Sequence, residues 1–179
     1  MKAIVIYESM YGNTHRAAEA IADGLGEHAE VEVVAVSDAS PEVVAGAELL
    51  VVGAPTHVHG MPSGMSHKAV AEDAKKHPEY EHDPAAEGPA LKDWFDGIAK
   101  ADGVAAAAFD TRLGKPKLVT GSAAKGIAKR LRRHGYQVVC EESFIVDDGT
   151  GPLHEGELDR AREWGRDLAR NSRSSPKQP

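Results

Sequence analysis

The opening of the chain constrains the fold more than any other segment. Residues 4–6, Ile-Val-Ile, form an unbroken run of β-branched side chains. Such a run is typical of a central strand that is buried on both faces of a parallel sheet. Polar residues begin at Glu8, and apolar residues then recur at steps of three and four from Ala17 to Leu25. This spacing predicts an amphipathic helix, so a buried strand, a polar loop and a helix follow one another directly.

The polar loop between this strand and helix is suited to an anion. Residues 9–14, SMYGNT, contain hydroxyl groups, a glycine and an amide. They lie at the N-terminus of the predicted helix, where free N–H groups and the helix dipole attract a phosphate. The alternative is an ordinary strand-to-helix turn, in which Asn13 or Thr14 caps the helix. The loop alone leaves both interpretations open.

Four further strand patterns alternate with helical ones along the chain. The strands are predicted at residues 30–36, 47–55, 103–109 and 136–146. Between them, Ser40 and Pro41, Pro89, and Gly121 with Ser122 mark the starts of helices, and a last helix carries Leu158, Ala161 and Leu168 on one face. Alternating strands and helices predict a doubly wound α/β sandwich around a five-stranded parallel sheet.

The pattern predicts one domain over residues 1–170, with one long interruption. Residues 56–88 contain prolines, glycines, five histidines and an acidic cluster. Loops of more than about 12 to 15 residues are usually functional or disordered. We therefore expect residues 61–88 to form a long loop or lid, either a partly ordered cover over a ligand or a floppy insert. The tail at residues 171–179 has no apolar residue to bury and is expected to be disordered.

Charge and composition narrow the class of function. The chain has 21 Lys and Arg against 28 Asp and Glu, a net charge of −7. An acidic chain is a poor general ligand for nucleic acids or anionic membranes. The N-terminus enters a strand without an apolar signal region, and no apolar run approaches the ~20 residues that span a bilayer. We therefore expect a cytoplasmic protein that binds neither nucleic acid nor membrane.

The single cysteine and the histidines suggest no metal site. Cys140 lies in an apolar run, which favours a core position over a nucleophile. His57 and His59 are one residue apart, but neither a cysteine nor a carboxylate completes a recognisable metal-ligand spacing around them. We expect no bound metal. A histidine near a redox cofactor would instead tune its chemistry close to neutral pH.

In a doubly wound sheet, ligands bind beyond the carboxyl ends of the strands. The loops that follow strands one, three and four, at residues 9–14, 55–62 and 109–114, are therefore the candidate site. At this point the sequence resembles the flavodoxins. The phosphate loop of that family starts where the first strand ends, and Ser9-Met10-Tyr11-Gly12-Asn13-Thr14 matches it, with Tyr11 in place of the usual threonine.

The resemblance covers nearly the whole domain and implies sheet order 2-1-3-4-5 with bound FMN. The FMN phosphate would bind to Ser9, Met10, Tyr11, Gly12, Asn13 and Thr14. The flavin ring would lie between two loops whose residues are Pro55, Thr56, His57, Val58, His59, Gly60, Phe109, Asp110, Thr111 and Arg112. Flavodoxins usually place a tryptophan or tyrosine against the ring, and neither loop of this chain contains one.

Two of these residues bear on redox chemistry. A glycine peptide rotates at little steric cost, so the backbone at Gly60 can offer a carbonyl to a reduced flavin. If the guanidinium of Arg112 faces the ring, it favours the anionic reduced flavin and two-electron chemistry. Alternatively, Arg112 is a surface residue that pairs with Asp110 or with a helix end.

The function implied is that of an FMN-binding redox protein. It is either an electron carrier, whose partner is a redox protein, or a small quinone or NAD(P)H oxidoreductase with a quinone-like substrate. The alternative is a cofactor-free module for interaction or regulation that keeps only the fold. Lys125, Lys129, Arg130, Arg132 and Arg133 form a basic helix face, which is either simply solvated or docks an acidic partner.

Overall fold

The computed structural model describes residues 1–56, 60–61, 72, 76, 83–87, 89–116, 121–148 and 150–174. In chain order its elements are β1 (Lys2–Tyr7), α1 (Asn13–Gly26), β2 (Glu30–Ala35), α2 (Pro41–Val44), β3 (Leu49–Pro55), a 3₁₀ helix (Pro84–Glu87), α3 (Leu91–Gly97), β4 (Ala105–Leu113), α4 (Ala123–Arg133), β5 (Gln137–Val146) and α5 (Glu157–Ser174).

The five strands form one parallel sheet in the order β2-β1-β3-β4-β5. This order and the alternation of strands with helices confirm the predicted doubly wound fold. The strand order reverses between β1 and β3, so their carboxyl ends open a crevice at the edge where ligands bind in such sheets.

The alternation of side chains along β1 divides the core into two layers. Ala3, Val5 and Tyr7 face a layer that α1 and α5 cover. Ile4 and Ile6 face the opposite layer, which contains buried residues of α3 and α4. Successive side chains of a strand point to opposite faces, so one short apolar run contributes to both layers.

Helices α1 and α5 pack closely because each has a glycine at the contact. A Cβ at Gly24 would lie 1.9 Å from the carbonyl oxygen of Arg162, and one at Gly165 would lie 2.2 Å from that of Ile21. Real side chains do not fit at such distances. The two glycines therefore let the helix backbones approach each other closely. Helices α1 and α5 together cover the first core layer.

Three boundaries differ from the sequence prediction. Strand β4 was predicted to end at residue 109, but it continues to Leu113 because its last residues pair with β5, up to Leu113 opposite Val146. Helix α3 begins at Leu91, after Pro89. Helix α5 continues past residue 170 to Ser174, so the first part of the predicted tail is helical.

Most of the predicted loop or lid at residues 61–88 lies outside the described residues, as do residues 175–179. The described end of this segment contacts the loop after β1, because the backbone N–H of Asp83 donates to the carbonyl oxygen of Met10 over 2.9 Å. Over the part of the chain that the structure describes, no helix is both long enough and apolar enough to cross a bilayer.

Candidate functional site

A cavity of about 360 Å³ lies at the carboxyl edge of the sheet. Its volume is within the range of small-ligand pockets. The loop after β1, the first turn of α1 and the ends of β3, β4 and β5 all contribute to its walls. The lining residues are Met10, Tyr11, Asn13, Thr14, Pro55, Thr56, Thr111, Arg112, Leu113, Val146 and Thr150.

The N-terminus of α1 faces this cavity and has no side-chain cap. Its N-cap is Gly12, at a φ of 80°, in the left-handed region that favours glycine. The backbone N–H of Gly12 donates to Oγ of the fully buried Ser9 over 3.1 Å. Among the described residues, no side-chain cap accepts from the start of the helix, and the first N–H groups of a helix have no acceptor within the helix either. The start of α1 therefore has the free donors and the dipole orientation that favour an anion.

Asn13 and Thr14, which the turn interpretation assigned as caps, use their side chains elsewhere. Nδ2 of Asn13 donates to the carbonyl oxygen of Gly151 over 2.5 Å. Oγ1 of Thr14 lies 2.8 Å from Oγ1 of Thr111, at the end of β4. Both side chains are almost completely buried. They join the loop after β1 to the ends of two other strands, so the capping alternative is wrong.

The loop after β5 is a wall of the cavity that the sequence prediction missed. Val146 and Thr150 line the cavity, although only the loops after strands one, three and four were expected there. Oδ1 of Asp148 accepts from the backbone N–H of Thr150 over 2.9 Å and from that of Gly151. The polar sequence after β5 was the available signal, since β5 ends at the same edge of the sheet as the other strands.

The ends of β3 and β4 meet a second helix N-terminus, that of α4. Oδ2 of the fully buried Asp110 accepts from Oγ of Ser122, from Oγ1 of Thr56 and from the backbone N–H of Ala124, at 2.7, 3.1 and 2.9 Å. The backbone N–H of Ala123 donates to Oγ1 of Thr56 over 2.9 Å. Asp110 is thus a buried structural carboxylate that does not line the cavity.

Arg112 lines the cavity and is held by backbone carbonyls. Its Nη1 donates to the carbonyl oxygens of Leu113 and Lys115 over 3.2 and 2.6 Å. The donors to Oδ2 of Asp110 are Ser122, Thr56 and Ala124, whereas Nη1 of Arg112 donates to backbone carbonyls. A half-buried guanidinium at the cavity wall supplies a fixed positive charge there.

Phe109, which was predicted to flank a flavin ring, lies in the core. It is fully buried on the layer covered by α1 and α5, where its ring meets those of Phe144 and Trp164 edge to face. A Cβ at Gly53 would lie 2.1 Å from the Phe109 ring. The absent side chain of Gly53 makes room for this ring, and side chains on β4 alternate between the two faces. The side chain of Phe109 therefore packs in the core and is not among the residues that line the cavity.

Of the loop after β3, residues 57–59 lie outside the described residues, so the predictions for His57, Val58 and His59 fall there. Gly60 is half-buried, and a Cβ on it would meet no atom within 4 Å. Met61 next to it contacts α4, since its side chain lies 3.6 Å from the Cβ position of Gly126.

A second polar cluster lies behind the loop after β1. The rings of Tyr7 and His15 stack with centroids 4.3 Å apart, and Nδ1 of His15 lies 3.1 Å from Oδ2 of Asp83. Burial and the nearby Asp83 carboxylate raise the pKa of Tyr7 to about 12. Its hydroxyl therefore stays protonated at neutral pH, and the cluster supports the loop from the side away from the cavity.

The described residues contain no group of three or more His, Cys, Asp or Glu that is arranged to hold a metal ion. Cys140 is half-buried on β5, and burial raises the pKa of its thiol. A thiol with a raised pKa is mostly protonated at neutral pH and is a weak nucleophile.

The residues at the start of α1 provide the kind of hydrogen-bond donors that fit an FMN phosphate. The uncapped N–H groups of α1 and the hydroxyl of Thr14 are hydrogen-bond donors, and the helix dipole adds positive potential where they converge. None of the described residues that line this cavity is a carboxylate. The remaining wall at Pro55, Thr56 and residues 111–113 leaves room for a larger and less polar part of a ligand.

Comparison with known proteins gives a consistent result. A family model described as Flavodoxin matches residues 5–164. Comparison with curated proteins gives no match. A flavodoxin from the domain Archaea is 22% identical, with a TM-score of 0.63 and coverage of 97% of this chain and 99% of that one. A flavodoxin of Streptococcus pneumonia TIGR4 is 15% identical, with a TM-score of 0.65 and coverage of 96% and 99%.

The flavodoxin of Megasphaera elsdenii in its two-electron reduced form is 19% identical, with a TM-score of 0.60 and coverage of 94% of this chain and 98% of that one. At these identities the structural neighbours show the fold. The family model, which spans most of the chain, carries the relationship.

Proposed function

Because the chain belongs to the flavodoxin family, and is therefore an FMN-binding redox protein, we propose that it is an electron carrier that passes electrons to a protein partner. Bound FMN supplies one- and two-electron transfer through its flavin ring. The chain's own residues bind the phosphate, orient the ring and set its surroundings. The cofactor-free alternative has no support from the family match.

The proposal for the phosphate is that it binds at the start of α1. The observation that supports this proposal is the N-terminus of α1, which faces the cavity. Its N-cap is Gly12, at positive φ, and so provides no side-chain cap. A phosphate there would accept from the backbone N–H groups of Asn13 and Thr14 and from the hydroxyl of Thr14. The hydroxyl of Ser9 accepts from the N–H of Gly12 and holds the loop in this shape.

For the ring, we propose the space between the ends of β3 and β4. Pro55 and Thr56 line one side of the cavity, and Thr111, Arg112 and Leu113 line the other. None of these side chains is aromatic, so the ring would pack against aliphatic and polar groups. We propose that residues 57–60 complete this side, as the family resemblance implies.

The loop after β5 would close the cavity next to the phosphate. Thr150 lines the cavity, and Asn13 holds the neighbouring Gly151 through its carbonyl oxygen. Asn13 is thus proposed as a positioning residue, since its amide joins the phosphate loop to the loop after β5.

The first experiment compares FMN with riboflavin, which has the same ring but no phosphate. Fluorescence titration of the purified protein should give a dissociation constant for FMN at least about 100-fold lower than that for riboflavin, because the phosphate would make several charge-assisted hydrogen bonds. Inorganic phosphate should compete with FMN and leave riboflavin binding unaffected or enhanced. Equal affinity for the two flavins would contradict the phosphate position.

A second candidate function, a small quinone or NAD(P)H oxidoreductase, is favoured by Arg112. Its fixed guanidinium at the cavity wall would stabilise the negative charge of a reduced flavin and favour two-electron chemistry. If the protein is a carrier, it should not consume NAD(P)H when a quinone acceptor is added. A redox titration of the bound flavin in a carrier should resolve two separate one-electron steps. Sustained turnover that falls in Arg112→Gln would favour the oxidoreductase.

A further inference from the structure

The exposed side of α4 is basic throughout its length. Lys125, Lys129, Arg132 and Arg133 are exposed on it, and we call these four residues the basic face. The opposite side of α4 packs on the sheet through Ala124, Ile127, Ala128 and Leu131. Residues three and four apart share one side of a helix, so the four cations form one continuous surface.

The positive charge of α4 is opposite in sign to the net charge of the chain. Five of its 21 Lys and Arg lie in Ala123–Arg133, which contains no Asp or Glu. The rest of the chain therefore has 16 Lys and Arg against 28 Asp and Glu. A partner that approaches α4 meets a local charge opposite in sign to the net charge of −7.

On helix α5, in contrast to α4, most of the cations are paired with carboxylates. Four arginines of α5 are in ion pairs with carboxylates; these are Arg160 with Glu142 and Glu157, Arg162 with Asp23 and Asp159, Arg166 with Glu27 and Glu163, and Arg170 with Glu163 and Asp167. On the basic face, only Arg132 has such a partner among the described residues, at 3.1 Å in Glu141.

Helix stability explains only part of this arrangement. Cations in the last turn interact favourably with the helix dipole, which accounts for Arg132 and Arg133. Lys125 lies in the first turn, where the dipole disfavours a cation. The helix dipole therefore does not account for Lys125, which is exposed at the surface.

The basic face extends away from the cofactor cavity. Helix α4 begins beside Thr56, which lines the cavity and accepts from the N–H of Ala123. Its 11 residues correspond to a length of about 16 Å. A protein bound to this side of the molecule would lie within a short distance of the cavity.

We propose that the basic face docks the acidic surface of the redox partner protein. The redox role of that partner rests on the proposed function, but the docking itself does not require bound FMN. At about 0.1 M salt, charges beyond about 10 Å are largely screened, so the local cations outweigh the distant net negative charge. Complementary charge then orients the partner next to the cavity.

The experiment uses the full chain and two variants that lose the same charge. Lys125→Gln/Lys129→Gln/Arg133→Gln removes three cations of the basic face, and Arg162→Gln/Arg166→Gln/Arg170→Gln removes three from α5. The probe is a labelled small acidic iron–sulfur protein, and binding is followed by fluorescence anisotropy at about 0.1 M salt. Circular dichroism checks folding, and FMN titration is measured separately for every variant.

The α4 variant should weaken binding of the acidic probe about tenfold and the α5 variant by less than about twofold, with the difference shrinking as salt rises. A basic haem protein of similar size should show no such dependence on α4. Equal losses in both variants would overturn the proposal. Binding of an oligonucleotide in place of the acidic protein, or self-association that the α4 variant abolishes, would also overturn it. Failure of FMN titration alone would instead contradict the proposed function.

Discussion

Helices α1 and α4 begin at the same edge of the sheet, but their first N–H groups meet different partners. At α4, Asp110, Thr56 and Ser122 accept from the backbone N–H groups of Ala124, Ala123 and Lys125. At α1, the N-cap Gly12 provides no side-chain acceptor for the first turn among the described residues, and the helix start faces the cavity.

The difference identifies which helix end serves a ligand. A buried helix N-terminus needs an acceptor, and negative charge stabilises it. The buried carboxylate of Asp110 is an internal anion that fulfils this need at α4. At α1 the described residues supply no such internal anion, and this is the role we propose for the FMN phosphate. The three predictions below test this contrast, beginning with the largest expected effect.

Replacement of Asp110 by Ala should lower the free energy of unfolding by about 3 kcal/mol or more, because two hydroxyls and one backbone N–H lose their buried acceptor. Chemical denaturation of the cofactor-free protein measures this loss. Asp110→Asn keeps one acceptor oxygen and should cost less. If Asp110→Ala stayed as stable as the parent but lost FMN affinity, Asp110 would belong to the cofactor site.

Replacement of Thr14 by Val should have the opposite signature. The variant keeps the shape of the side chain but removes a hydroxyl at the start of α1, so we expect FMN affinity to fall about tenfold or more, while the lost hydrogen bond to Thr111 lowers the free energy of unfolding by only about 1 kcal/mol. Fluorescence titration and denaturation of the same sample measure both quantities.

The matched control for Thr14→Val is Ser122→Ala at α4. Loss of the Ser122 cap should lower the free energy of unfolding by about 1 kcal/mol and leave FMN affinity unchanged. If both variants changed affinity to the same extent, the contrast between the two helix ends would not hold.

The smallest effect is expected for Asn13→Ala. It removes the hydrogen bond to the carbonyl oxygen of Gly151, worth about 1 kcal/mol. The FMN dissociation rate, measured by stopped-flow fluorescence, should rise about fivefold with little change in association. Asp148→Ala, which loosens the same loop from its other side, should shift the rate in the same direction. An unchanged rate in both variants would remove the loop after β5 from the site.

Local patterns in the sequence were enough to predict the sheet and one side of the cavity. The β-branched run at residues 4–6, the Ser40 and Ser122 caps and the glycine at position 12 depend on neighbours a few residues away. The periodicity of apolar residues indicates which side of an element is buried, and capping residues indicate where a helix begins. These elements could therefore be predicted without knowledge of their packing.

The rest of the site depends on residues that are far apart in the chain. Phe109 turns into the core because Gly53 on the adjacent strand leaves space for its ring. The loop after β5 reaches the cavity because β4 and β5 pair to their ends, and Asn13 then meets Gly151. A local pattern has no information about such pairings. The sequence by itself determined the strands, the helices and the polar loop after β1, whereas the tertiary structure decided which distant side chains share the cavity.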